Sequence, residues 1–337
     1  MSAAEHSQKV LVHLAAGVGN VVLATPLVVA LDALGFTVDV LLDADYAETA
    51  ELLRGWSIIR ELFTRASAVR WRDYERLVPA VPPFYWWKFS RLYRRDRRVV
   101  ARPREQLFYE DEQEFYLSFA RALGSPADVR PVYRLPISAS DEFGVGLQTL
   151  VVAPGSKGGE MRAKRWGGFA RLAELFDDVA VVGTSEDLRA SDGTPIKFPA
   201  HARLFTDRLT LKETARLLAS AGAVVASDCG LAHVAAATGT PTVMIFGPTP
   251  HLTLGRLAPN VTVLRAGLPC EPCWFGARFR ACDARLDCLR DVSVEQVARE
   301  VKKILCAAHA MESTVESTDR LADEFLCAPS ASSAPLR

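Results

Sequence analysis

The run from Ala223 to Thr249, AVVASDCGLAHVAAATGTPTVMIFGPT, leaves this chain little choice of architecture. Ala223 to Ala226 is a short apolar run, suited to a strand buried on both faces of a parallel sheet. Asp228 stands at its carboxyl end, Gly230 permits a tight turn, and Leu231 to Thr238 is rich in helix-favouring Ala. Gly239 and Pro241 stop the helix before Val243 to Phe246 makes the next strand. A strand, helix and strand in this order imply an α/β fold. The first amides of the helix, on Cys229, Gly230 and Leu231, lack intrahelical acceptors and favour an anion. Ligands of open parallel sheets lie off the carboxyl ends of the strands. Gly247, Pro248 and Thr249 leave the neighbouring strand at that edge, so the segment reads as a site for a phosphate-bearing ligand. Glycine turns occur in any α/β domain; the order of the whole segment is what carries weight.

The rest of the chain supplies a second unit of the same kind. Its 337 residues are 49% apolar, enough for about two cores. Forty basic and forty acidic side chains cancel, so no global field argues for nucleic acid. Val10 to Leu31 holds no charged residue and is long enough to span a bilayer. His13, Gly17, Gly19, Asn20 and Pro26 break it into a strand, a loop and a helix over Val21 to Leu34, which favours a soluble reading. Val38 to Leu42 is a second strand, ending in Asp43 and Asp45. A GxG turn alone is a weak dinucleotide signal.

The ordered motifs resemble those of family 9 glycosyltransferases, the bacterial heptosyltransferases. The second half carries their (S/D)xGxxHxA…GxP…fGPT pattern through Asp228, Gly230, His233, Gly239, Pro241 and Gly247 to Thr249. Gly17-Val18-Gly19-Asn20 with Thr25-Pro26-Leu27 is similar to their opening loop. Pro154-Gly155-Ser156 with Lys164-Arg165-Trp166 is similar to their PG…KrW element. The resemblance implies a GT-B fold, two Rossmann-like domains facing a central cleft. It implies an inverting enzyme that moves a sugar from a nucleotide diphosphate, ADP-heptose foremost, to a hydroxyl of a lipopolysaccharide-core, protein or other glycan acceptor. The donor side then comprises Ser156, Lys164, Glu186, Asp228, Cys229, Gly230, Leu231, His233, Gly247 and Thr249. Lys164 would meet the diphosphate, Glu186 the ribose, and Asp228 a sugar hydroxyl or the helix amides. On this reading Lys164 or Asp228 can be changed to Ala with the fold intact. No DxD-type pair is visible, so no catalytic metal is expected.

At one place the chain departs from the family. Asn20 stands where the best-known members have the Asp proposed as general base, and an amide cannot take a proton at neutral pH. Asp43 and Asp45 are the nearest substitutes by topology, or else are turn and cap residues. This departure motivates one alternative, a nucleotide-sugar-binding protein with impaired catalysis. A sugar epimerase of the same fold lacks its expected acid/base set.

Residues 70–104 are aromatic and basic, with eight basic residues against Asp96 between Lys88 and Arg104. Such a surface, with Arg94 and Arg95 beside Gly17 and Gly19 on the acceptor side, suits a phosphorylated acceptor or an anionic membrane face. The bland reading pairs it with the acidic run Glu105, Glu110, Asp111, Glu112 and Glu114. Cys270, Cys273, Cys282 and Cys288 form C-x2-C-x8-C-x5-C, four thiolates able to close a structural zinc or iron site. Otherwise they are reduced, unliganded thiols. Together the cysteines and arginines motivate a second alternative, a metal-stabilised nucleic-acid binder, although no nucleic-acid partner is expected. Seven cysteines and no evident signal peptide suggest a cytoplasmic protein, with peripheral contact at the inner membrane face. The expected domains are residues 1–135, an acceptor-side unit, and 145–310, a donor-binding unit with the cysteine loop at 270–288. A proline-bearing linker over Val129 to Glu142 joins them, and residues 311–337 form a tail poor in apolar content.

Overall fold

The structure, a computed structural model, describes residues 7–101, 112–254, 258–274, 282 and 285–308. The expected tail at 311–337 and the acidic residues Glu105, Glu110 and Asp111 lie outside them. Two parallel sheets form the frame. The first has β1 (Lys9–Leu14), β2 (Thr37–Leu42), β3 (Glu61–Phe63) and β4 (Arg76–Ala80) in the order β3-β2-β1-β4. Val10 lies opposite Val38 on one side and Arg76 on the other. The second has β5 (Leu150–Ala153), β6 (Val179–Val181), β7 (Arg203–Leu204), β8 (Ala223–Ser227), β9 (Thr242–Ile245) and β10 (Val261–Leu264), in the order β10-β9-β8-β5-β6-β7. In each sheet the strand order reverses beside the first strand of its lobe, between β1 and β4 and between β5 and β8. Those are the points where a doubly wound sheet opens a crevice at its carboxyl edge.

The charge-free window is not a spanning helix. It folds as β1, α1 (Val18–Leu23) and α2 (Thr25–Ala33). The helical stretch begins at Val18, earlier than the Val21 expected, so Asn20 sits on a helix and not in a loop. The break at Ala24 precedes Pro26, which occupies the first turn of α2, where a missing N–H costs nothing. Among the described residues no helix is long and apolar enough to cross a membrane.

Further helices are α3 (Ala50–Leu53), α4 (Trp86–Tyr93), α5 (Glu112–Ala122), α6 (Phe169–Ala173), α7 (Leu211–Ser220), α8 (Gly230–Ala237), α9 (Asp287–Arg290) and α10 (294–308). α7 opens on a capping box: Thr210 Oγ1 accepts from the Glu213 amide at 3.2 Å, and Glu213 accepts from the Thr210 amide at 2.7 Å. Trp166 is buried, its indole N–H donating to the Val292 carbonyl at 2.9 Å, as suits a packing anchor. The segment 129–142 is not a free linker. Tyr133 is buried, and the Leu135 amide donates to Ala237 at 3.1 Å, which fastens the strap to α8.

One apolar cluster runs through both lobes, from Val22 and Leu23 of α1 to Val234 and Ala235 of α8. Burying such side chains contributes about 1.5–3 kcal/mol each, so the lobes are joined by a core and not by linker alone. That contact brings the carboxyl edges of β1 and β8 together.

Candidate active site

Each switch point delivers a loop to the junction. From β1 come Gly17, Val18, Gly19 and Asn20; from β8 come Asp228, Cys229, Gly230 and Leu231. Gly17 to Asn20 and Cys229 to Leu231 are all half-buried, while Asp228 and His233 are buried. The fit is close enough to need both glycines. A methyl group on Gly19 would come within 3.0 Å of the His233 ring, and one on Gly230 within 2.9 Å of Val18 Cβ and 3.3 Å of the Gly19 nitrogen. The last contact is to backbone, which cannot swing aside. Gly230→Ala is therefore expected to wedge α8 from α1 and destabilise the protein by about 1–3 kcal/mol of misfit. Denaturant unfolding checks this; unchanged stability would mean that the two helices do not meet this closely in solution.

Asp228 is the electrostatic centre of the second lobe's edge. Its Oδ2 lies 3.0 Å from Lys164 Nζ and its Oδ1 3.9 Å from His233 Nε2. Burial acts to raise the Asp228 pKa, but Lys164 and His233 outweigh it and hold the carboxyl well below the usual range. Lys164 thus reaches the junction already paired. Two polar atoms nearby in sequence have no partner: His233 Nδ1 and Thr249 Oγ1 are buried without a hydrogen bond. Buried polar atoms are nearly always satisfied, so such orphans mark places where a ligand atom belongs. Cys229, whose thiol burial raises to about 11, stays a neutral thiol at the N-cap.

Other expected donor-side residues have structural work. Ser156 accepts from Arg165 Nε at 3.1 Å and donates to the Met161 carbonyl at 2.7 Å. Glu186 pairs with Arg162 and Arg189 and is half-buried. Gly247 packs on Leu289 and Cys288, with no room for a side chain. The Cys273 and Trp274 amides donate to the Pro248 carbonyl at 3.0 and 2.8 Å, so the cysteine-bearing loop lies over the β9 loop.

On the first lobe, Asp43 and Asp45 both turn to Lys88 of α4, at 3.0 and 2.6 Å. Asp43 also accepts from the Asp45 amide at 3.3 Å, so the turn-and-cap reading describes these carboxylates and the base reading finds no support in their contacts. α4 is docked on β1 through His13 Nδ1 and the Tyr93 hydroxyl, 2.7 Å apart. Burial lowers the His13 pKa to about 4, so its imidazole is neutral at physiological pH. Arg94 and Arg95 follow α4 and are exposed.

Of the acidic run expected to pair with the basic one, only Glu112 and Glu114 are among the described residues. Glu114 pairs with Arg121 and Arg130. Glu112 is buried and accepts from Asn20 Nδ2 at 2.6 Å and from the Tyr116 hydroxyl at 2.8 Å, both on Oε1. Sequence reasoning missed this carboxylate because it stands 92 residues from Asn20 and looks like one acid in a solvated run.

The geometry has counterparts among known proteins. The pattern defining Glycosyltransferase family 9 (heptosyltransferase) matches residues 113–277. Lipooligosaccharide heptosyltransferase 2 of Haemophilus influenzae is 33% identical over 122 residues, 33% of this chain and 35% of that protein. Lipopolysaccharide heptosyltransferase 1 of Pseudomonas aeruginosa is 44% identical over 66 residues, 20% of this chain and 19% of that one. The aligned stretches thus span about a third and a fifth of those relatives. Among solved structures, a family 9 glycosyl transferase from Veillonella parvula superposes with a TM-score of 0.69 at 16% identity, covering 91% of this chain and all of that one. The E. coli ADP-heptose lps heptosyltransferase II gives 0.68 at 20% identity, covering 90% and 100%. The iron-containing dodecameric heptosyltransferase TibC, in complex with ADP-D-beta-D-heptose, gives 0.63 at 18%, covering 90% and 78%. These likenesses make the fold GT-B. With the motif order and the family pattern running from α5 through the second sheet, residues 113–277 form a glycosyltransferase family 9 (heptosyltransferase) domain.

Proposed function

We propose that the protein is an inverting glycosyltransferase that moves a heptose from ADP-heptose to a hydroxyl of a lipopolysaccharide-core, protein or other glycan acceptor. The observation that carries this reading is the meeting of the α8 start with Lys164 and with the unpartnered His233 Nδ1 and Thr249 Oγ1. The amides of Cys229, Gly230 and Leu231 take the diphosphate, with Thr249 Oγ1 as a further donor. Negative charge grows on the diphosphate as the glycosidic bond breaks, and stabilising that charge is where such a site gains most. Lys164, held by Asp228, supplies the cation; His233 Nδ1 reaches a phosphate or sugar oxygen. The acceptor hydroxyl approaches from the Gly17–Asn20 side and attacks the anomeric carbon opposite the leaving group.

On the acceptor side, Trp87 is 77% exposed and Leu92 44%, next to exposed Arg91, Arg94 and Arg95. Apolar tips beside cations suit a lipid-linked acceptor at an anionic membrane surface. Incubating the full chain with ADP-heptose and heptose-deficient lipopolysaccharide core is expected to release ADP and label the core. Absence of ADP release across a panel of nucleotide sugars and acceptors, with no donor binding, rejects the transferase reading.

A structural metal at the cysteines belongs to the same proposal. Burial first, then Glu271 and the thiols of Cys273, Cys270 and Cys282, pushes Cys288 up to about 12. A cation is what would let such thiols ionise together. Their chemistry fits zinc or iron, although among the described residues no three metal-ligating side chains are gathered to coordination distance. Elemental analysis of protein purified without chelator is expected to find about one zinc or iron per chain, lost on Cys273→Ser. Because this loop lies on Pro248, the metal-free protein should also bind ADP-heptose more weakly. Metal-free protein with full affinity contradicts the assignment.

A further inference from the structure

The geometry points to Glu112 as the proton acceptor of the transfer, a carboxylate reaching the position-20 site from a different helix. We draw this inference on top of the transferase reading. Asn20 occupies the β1–α1 junction but has no basic atom. Its amide N–H donates at 2.6 Å to Glu112, the first residue of α5. Tyr116, one turn along α5, donates to the same oxygen at 2.8 Å. Both bonds fall on Oε1, and no hydrogen bond to Oε2 is found among the described residues. A carboxylate kept only for stability would be expected to satisfy both oxygens, since an ion this deeply buried is costly. Asn20 and Tyr116 fix the rotamer and leave one oxygen for a third hydrogen.

Among the described residues, the titratable groups that act on Glu112 are His233 on α8, Asp228 after β8 and Tyr116 on α5, beside the Asn20 amide on α1. Its carboxyl is therefore within electrostatic range of the groups that face the donor. Burial, the largest influence, raises its pKa above the ordinary glutamate value, while Asn20, Tyr116 and His233 pull it down. The direction suits a base, because an acid of raised pKa holds an abstracted proton better at neutral pH.

In the step, the acceptor oxygen forms a bond to the anomeric carbon, and its proton passes to Glu112 Oε2. The bond from the anomeric carbon to the diphosphate oxygen breaks, and its electron pair leaves with ADP. Glu112 later returns the proton to solvent. Asn20 Nδ2 holds the base in place, while Asn20 Oδ1 is free to orient the acceptor hydroxyl.

The test compares wild type, Glu112→Gln, Asn20→Asp and the Asn20→Asp/Glu112→Gln double variant, with ADP-heptose as donor and heptose-deficient core as acceptor. Wild type must first transfer heptose; if it neither binds nor consumes any donor, the transferase reading and this inference fall together. Given wild-type turnover, Glu112→Gln is expected to lower kcat by about 10²–10⁴-fold, the range for a general base. Its donor affinity should stay within threefold and its Tm should match or exceed that of wild type, since a buried charge is gone. The acidic limb of the kcat profile should vanish in Glu112→Gln and return in the double variant, with at least tenfold recovered rate. Turnover of Glu112→Gln within threefold of wild type overturns the role of Glu112 alone. So does a loss of rate accompanied by a lower Tm and weaker donor binding, which assigns the residue to structure.

Discussion

Asp228→Ala is expected to lower the proposed sugar transfer at least a hundredfold and to destabilise the protein by about 3–5 kcal/mol, both for one reason. Asp228 is buried, and Lys164 is only 16% exposed on its side chain. Removing the acid leaves the ammonium desolvated and unpaired, and frees His233 from the carboxylate that positions it. The expectation that either residue can be removed without cost to the fold gives way to this geometry. Lys164→Ala should be milder for the fold, because the remaining Asp228 keeps His233 at 3.9 Å. It should be equally severe for turnover, because the diphosphate loses its cation. Thermal melts and initial rates of both variants decide the matter; an Asp228→Ala protein with wild-type Tm would show that the pair is not buried in solution.

The pH dependence has a sign. Asp228's folded pKa lies below its unfolded value of about 3.9. Its contribution is therefore complete above that value and is lost as pH falls through the folded pKa. Glu112 acts in the opposite sense. Its folded pKa is raised, so stability declines as pH rises above about 4.3 and levels once its folded pKa is passed.

Arg165→Ala should destabilise the second lobe as much as Asp228→Ala, by about 3–5 kcal/mol. The side chain is fully buried, and its guanidinium bonds the Ser156 carbonyl at 2.6 Å, the Glu186 carbonyl at 2.7 Å and the Arg189 carbonyl at 3.0 Å. It also reaches Ser156 Oγ and, at 3.1 Å, Asp187. One planar cation thus ties the loop after β5 to the loop after β6. Truncation leaves three carbonyls and a carboxylate without their donor in a site closed to water. Arg165→Lys should recover little, since an ammonium cannot span those acceptors at once. Denaturant unfolding measures the loss, and a change below 1 kcal/mol would contradict this account of the loop.

The sequence made the second lobe legible because its chemistry is local. The β8–α8–β9 unit carries strand, turn and helix signals within one short segment, and the observed bounds differ from the expected ones by about one residue. Lys164 and Asp228 each stand in a recognisable motif, but their pairing leaves no trace in the sequence, because it joins loops of two different strands. Short strands such as β3 and β7 carry too few residues to show a period. β4 was hidden in an aromatic run and contains Pro79, tolerated because β4 is a sheet edge. Glu112 was the largest omission. No local signal separates it from its acidic neighbours.

The central claim is that backbone amides at the start of α8 hold the diphosphate of a nucleotide sugar. A crystal structure of the full chain with ADP-2-deoxy-2-fluoro heptose tests it most directly. The account predicts diphosphate oxygens about 3 Å from the amides of Cys229, Gly230 or Leu231, with Thr249 Oγ1 bonded to the ligand. A diphosphate bound elsewhere, with those amides turned to protein or water, would contradict it.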